Sequence, residues 1–201
     1  MDRYDHLMFT PAIRALQRRD GSEETYARSY GARTRPLGED ERAFLESRTS
    51  IYMASVSETG WPYIQHRGGP AGFIKVIGPG QIGFADYRGN RQHISEGNLS
   101  AEPRVSLFAM DYARKARLKL QGRARMVRAA EDAALTEALR TPGQGRVERV
   151  VTIDIVAFDW NCPQFITPRF DEAEIAQMLG PKLQEQADRI AALEAELAAL
   201  K

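Results

Sequence analysis

Residues 72–92 read GFIKVIGPGQIGFADYRGNRQ. Two apolar runs, GFIKVIG and QIGFAD, meet at Pro79-Gly80, the chemistry of a tight turn between antiparallel strands. The second run then opens into Asp86, Tyr87, Arg88, Gly89, Asn90, Arg91 and Gln92. So many polar groups at one strand end serve a turn, a solvated loop or an anion site, and the stretch alone leaves all three open.

The same texture extends on both sides. IYMASVS (51–57), the turn ETG (58–60) and WPYIQHR (61–67) predict a first hairpin. Downstream, RVSLFAM (104–110) passes through DYARKA (111–116) into RLKLQGRARMV (117–127). In that last run Arg117, Lys119, Gln121, Arg123 and Arg125 share one face, and Leu118, Leu120, Gly122, Ala124 and Met126 the other. A period of two marks a half-buried sheet. VERVVTIDIVAFDW (147–160) is the longest strand. Six or seven strands with few crossover helices predict an antiparallel sheet closed into a barrel, with a sandwich as the alternative.

Helices flank this core. Residues 1–48 read as an N-terminal helical extension. In it Thr10 caps a helix with Pro11 at its first position, a second start lies at Ser22, and a third helix runs from about Glu39 to Ser47 with Phe44 and Leu45 turned inward. The barrel occupies 49–170, with one helix over AEDAALTEALR (130–140), and 171–201 form a helical tail. Asp171 and Glu174 make a capping box there, and Gly180-Pro181 ends that helix and begins another. Leu183, Ile190 and Leu197 recur every seven residues, with Leu193 and Leu200 at the companion position and Gln186 interrupting. So short a heptad seam either packs on the barrel or pairs with a second chain.

The totals exclude several function classes. The chain has 201 residues, 43% apolar and 27% charged, with a formal net charge of +1. No global field draws it to nucleic acid or membrane. No apolar run spans a bilayer and the N-terminus lacks a signal-peptide core, so a cytoplasmic location is expected. The lone Cys162 excludes an internal disulfide and a cysteine-rich metal site. His6, His66 and His93 form no metal-ligand pair, and there is neither a nucleophile elbow nor a Walker loop. GGPAG (68–72) reads as a bend. What remains is a set of cations and amides at strand ends: Lys75; Arg88, Arg91 and Gln92; Arg114, Lys115 and Arg117. Singly, each reads as solvated rim. Brought together, with the backbone N–H groups of Gly89, Asn90 and Arg91 entering a helix, they would form a phosphate site.

The order of these segments resembles the pyridoxamine 5'-phosphate oxidase-like family of FMN-binding split barrels over roughly residues 40–170. GFIKVIG…QIGFADYRGNRQ is similar to the family's lysine, hairpin and basic strand end. EPRVSLFAMDY (102–112) is similar to its Asn-Pro-Arg-Val strand, and RLKLQGRARMV to its strand with a central glycine. FDWNCPQFITPRF (158–170) resembles the subgroup of flavin-nucleotide-binding relatives rather than the oxidase proper. The resemblance implies an antiparallel split barrel, mainly β with peripheral helices, that forms a homodimer and binds FMN in a groove between subunits. By it, Lys75 and Arg91 hold the phosphate, with Asn90 in the same turn, and Arg117 lies near the ring or ribityl chain. Gln65, His66 and Arg67 approach the pyrimidine edge, and Trp160 and Arg169 arrive from the partner subunit. Asp86 stands where the family has a hydroxyl residue, and Gln92 where a second basic residue is common. ITPRF replaces the oxidase's substrate segment, so the implied chemistry is two-electron transfer on an unspecified small molecule. A carrier or sensor without turnover, and a deazaflavin- or haem-using relative, are the other readings.

Overall fold

The computed structural model describes residues 1–30 and 35–200. Four short helices come first: α1 (Tyr4–Met8), α2 (Pro11–Arg19), α3 (Glu23–Tyr30) and α4 (Glu39–Glu46). The strands follow as β1 (Ser50–Val56), β2 (Pro62–Gly68), β3 (Lys75–Gly78) and β4 (Gln81–Tyr87), then β5 (Arg104–Asp111), β6 (Ala116–Arg128) and β7 (Val147–Trp160). Helix α5 (Ile94–Ala101) separates β4 from β5, α6 (Ala133–Leu139) separates β6 from β7, and α7 (Glu172–Ala199) is the tail.

All strand pairs are antiparallel, in the order β2-β1-β5-β6-β7-β4-β3. The backbone ladder does not close, because β2 and β3 are free edges. Instead the sheet curls until β2 meets β4 through side chains: Arg67 Nη1 donates to Asp86 Oδ1 at 2.8 Å. This is the split barrel that the family resemblance implies, with that side-chain seam between its two edge regions.

Alternation along the strands turns Ile51, Met53, Leu107, Leu118, Leu120 and Ile153 into one fully buried core. The register of β6 against β7 shifts between Gln121 and Gly122. A Cβ on Gly122 would lie 2.6 Å from Ile153 Cγ2 and 2.8 Å from the carbonyl oxygen of Asp154, so only glycine fits this bulge. Helix α4 docks through Leu45, fully buried as expected, and Phe44 packs against the same core. Its Glu41 is also fully buried. Arg35 donates to it twice, at 2.6 and 2.7 Å, the amide of Gly38 at 2.9 Å and Trp160 Nε1 at 2.7 Å. Burial pushes this carboxyl up, but the Arg35, Trp160 and Gly38 hydrogen bonds outweigh it and hold the group at about 2.

Residues 1–111 and 116–163 form one compact unit, and 112–115 with 164–201 a second. In the second, Asp171 and Glu174 complete the expected capping box, at 2.8 and 2.9 Å. The helix does not end at Gly180-Pro181 but continues through Pro181 to Ala199. Proline there forgoes one backbone hydrogen bond, and the strong helix formers that follow outweigh that loss.

Candidate functional site

The period of β2 turns Tyr63, Gln65 and Arg67 to one half-buried face and Ile64 and His66 to the other. Opposite stands the end of β4, whose register against β7 shifts between Asp86 and Tyr87. Asp86 is the last residue of the regular ladder before that shift and stands directly across from Arg149. Asp86, 8% exposed, accepts from Arg67 and also from Arg149 Nε at 2.9 Å. Arg149 Nη1 donates to Glu96 Oε2 at 2.9 Å, and the same oxygen bonds His93 Nδ1 at 2.6 Å. The His93 bond, opposed by burial and helped by the Arg149 charge, holds the Glu96 carboxyl below its ordinary range. Ser95 Oγ donates to Gln65 Oε1 at 2.7 Å, tying α5 to β2.

Between β4 and α5 the chain winds tightly. Arg91 and His93 both adopt left-handed backbone, with φ of 62° and 55°. Asn90 Oδ1 accepts from the Gln92 amide at 3.1 Å, an Asx turn that fixes the approach to the α5 N-terminus. Such backbone costs of order 1–3 kcal/mol per residue and concentrates where a ligand is held. Among the described residues, Arg91 forms no ion pair.

Six of the residues read from the sequence line this one pocket: Gln65, Arg67, Asp86, Asn90, Arg91 and Gln92. The other five lie elsewhere. His66, on the opposite face of β2, meets the Tyr52 ring edge-on at 5.7 Å. Lys75 pairs with Gly83, and Gly83 abuts Leu139 of α6. Lys75 therefore faces α6, where its ammonium donates to the carbonyls of Ala138 at 2.6 Å and Arg140 at 3.0 Å. Trp160 pairs with Leu118, beside Arg117, at the far end of the β6–β7 ladder from Arg128 and Arg149. The Arg117 Nε is buried there without a hydrogen-bond partner, while Trp160 bonds Glu41 and packs edge-on against Phe44 at 4.7 Å. Arg169 belongs to the second compact unit, its guanidinium 5.0 Å above the Tyr112 ring.

The pocket also contains residues that the sequence did not single out: Arg149, Glu96, His93 and Ser95. A neighbouring hollow of about 760 Å³ shares Arg91 and Arg149 and adds Arg88, Arg128 and Arg146, with only Glu96 and Glu148 as counter-charges. In a chain of net charge +1, this is a concentrated basic region.

The donor set suits a phosphate-bearing heterocyclic cofactor. Arg91 offers an uncommitted guanidinium beside the α5 N-terminus. Arg67 keeps a buried Nε with no partner in the pocket wall. Gln65, Asn90 and Gln92 offer amides of the kind that meet hydroxyls and a pyrimidine edge. Asp86 is already satisfied by two arginines, so its charge is spent inside the wall.

A family model described as Pyridoxamine 5'-phosphate oxidase matches residues 37–151. No curated protein matches the chain. Among solved structures, HupZ from Group A Streptococcus is similar at 15% identity and TM-score 0.50, over 67% of this chain and 100% of that one, which shows a shared fold. A putative pyridoxamine 5'-phosphate oxidase from Lactobacillus delbrueckii aligns at 19% identity and TM-score 0.49, covering 63% and 96% of the two chains. An FMN-binding protein from Syntrophomonas wolfei aligns at 12% identity and TM-score 0.46, covering 74% and 97%.

Proposed function

Because the chain belongs to the pyridoxamine 5'-phosphate oxidase-like family of split barrels, we propose that it is an FMN-binding flavoprotein that carries out two-electron transfer on a small molecule. One observation carries this reading: the strained turn at Arg91 faces Arg67 and three amide side chains in a single pocket at the barrel seam. Arg91 and the backbone N–H groups leading into α5 hold the phosphate. Gln65 and Arg67 meet the ring, with Asn90 and Gln92 along the ribityl chain. When bound, the flavin supplies the redox chemistry. The protein anchors it and, through Arg67, sets a positive charge where negative charge would accumulate on the reduced ring.

The active form in this reading is a homodimer. Arg117 and Trp160 lie at the opposite end of the β6–β7 ladder from the Arg91 pocket, and a two-fold copy brings that end to the partner's pocket. The substrate differs from that of the oxidase proper, since ITPRF (166–170 with the preceding segment) stands where the oxidase has its substrate-binding run.

The test is direct. The purified protein shows a flavin absorption spectrum and releases a chromophore with the mass of FMN. A colourless protein that takes up no added FMN overturns the proposal, and a released deazaflavin or haem replaces the cofactor. Oxidation of reduced nicotinamide by the loaded protein separates an enzyme from a carrier.

A further inference from the structure

Helix α7 runs unbroken over 28 residues and buries none of them. Its large apolar side chains nevertheless form one row. Leu179, Leu183, Gln186, Ile190, Leu193, Leu197 and Leu200 alternate steps of four and three, which places them along a single seam. Each of the six apolar members is at least 41% exposed. In heptad terms Leu183, Ile190 and Leu197 are the a positions, and Leu179, Gln186, Leu193 and Leu200 the d positions. Lys182, Arg189 and Glu196 flank the row on one side, and Ala187 and Glu194 on the other.

We propose that α7 pairs in parallel with α7 of a second copy of this chain, as a two-stranded coiled coil. Two features set the orientation. In a parallel pair Gln186 faces Gln186 of the other copy, and the two amides satisfy each other. In an antiparallel pair each faces an apolar a residue and is left unpaired in the seam, at a cost of about 1–3 kcal/mol. Charge agrees with this. A parallel pair sets Arg189 of one helix against Glu194 of the other, whereas an antiparallel pair centred on the seam sets Arg189 against Arg189. The β-branched Ile190 at a followed by Leu193 at d favours two strands over three or four.

The seam from Leu179 to Leu200 is about 33 Å long at ~1.5 Å per residue. That is marginal for an isolated helix pair. Its strength comes from acting with a barrel–barrel contact, each raising the effective concentration for the other. The inference rests on the tail alone and stands whether or not the barrel holds FMN.

Sedimentation equilibrium of the full-length chain tests it, comparing the wild type with an Ile190→Asp/Leu197→Asp variant. The dimer dissociation constant of the variant is expected to rise at least about a hundredfold, because two layers of carboxylates would be buried in an apolar seam. An unchanged thermal transition of the barrel shows that the variant is folded. Equal dissociation constants for the two proteins overturn the proposal. Orientation is read separately with Gln186→Cys in a Cys162→Ser background, which removes the exposed native thiol. Mild oxidation links the parallel pair through residue 186. A dimer that the seam substitutions disrupt but that residue 186 never cross-links overturns the parallel arrangement.

Discussion

Asp86 sits between two guanidinium groups, Arg67 at 2.8 Å and Arg149 at 2.9 Å, and so turns an acid in a phosphate pocket into part of the wall. Among the described residues lining that pocket, Arg91 is the arginine in no ion pair. Arg91→Ala is expected to weaken FMN binding by roughly ten- to a hundredfold, the worth of a charge-assisted hydrogen bond. Lys75→Ala is expected to leave FMN affinity unchanged and to lower stability by about 1–2 kcal/mol, because its ammonium caps the α6 carbonyls. Flavin fluorescence titration and thermal unfolding separate the two outcomes. Both residues stand out in the sequence as basic groups at strand ends, and there the resemblance gave them one role. What divides them is parity across the hairpin: Lys75 shares a face with Gly83, which is turned to α6, while Asp86 takes the opposite face. Arg149 went unnoticed for a related reason. Inside VERVVTIDI it is one more charge on a strand, and only the long-range pairing of β4 with β7 sets it beside Asp86.

At the level of elements, two joints carry much of the barrel. The first is the β6 bulge. Gly122→Ala drives a methyl group against Ile153 and a backbone carbonyl and is expected to destabilise the fold by about 1–3 kcal/mol, measured by urea unfolding. The second is α4, pinned by the Glu41 carboxylate under Trp160. Its pKa falls from an ordinary 4.5 to about 2 on folding, so it stabilises the protein fully above pH 4.5 and progressively less as pH drops toward 2. The loss amounts to about 3 kcal/mol across that window. Glu41→Gln is expected to be less stable at pH 7 and to show a flatter acid limb in equilibrium unfolding. The strands themselves were readable, because period-two alternation and Gly, Pro and Asx turns are local. The Glu41–Trp160 bond spans too much sequence to be read that way, and the family resemblance alone points to Trp160 as a cofactor contact. Pro181 was misleading in the opposite direction, since a single proline removes too little to stop a helix otherwise rich in alanine, leucine and glutamate.

For the whole molecule, the proposed cofactor site is divided between the two ends of the β6–β7 ladder, which makes complementation a clean test. Arg91→Ala and Arg117→Ala variants each lack one half of every site. Mixed and re-equilibrated, half of the dimers are hybrid and carry one intact site, so about a quarter of all sites recover tight FMN binding. No recovery, with hybrid formation verified by native mass spectrometry, places Arg117 outside the cofactor site.

The free edge of the sheet has a dynamic consequence. Among the described residues the backbone of β2 pairs with β1 alone, yet the strand contributes Tyr63, Gln65 and Arg67 to the pocket. Amides in such a strand exchange with solvent through small local openings, whereas those of β6, paired on both sides, wait for larger ones. A bound cofactor that grips β2 against β4 would slow those openings selectively. Deuterium uptake in β2 is therefore expected to fall on FMN addition far more than uptake in β6, making an edge strand of the barrel the one that reports occupancy.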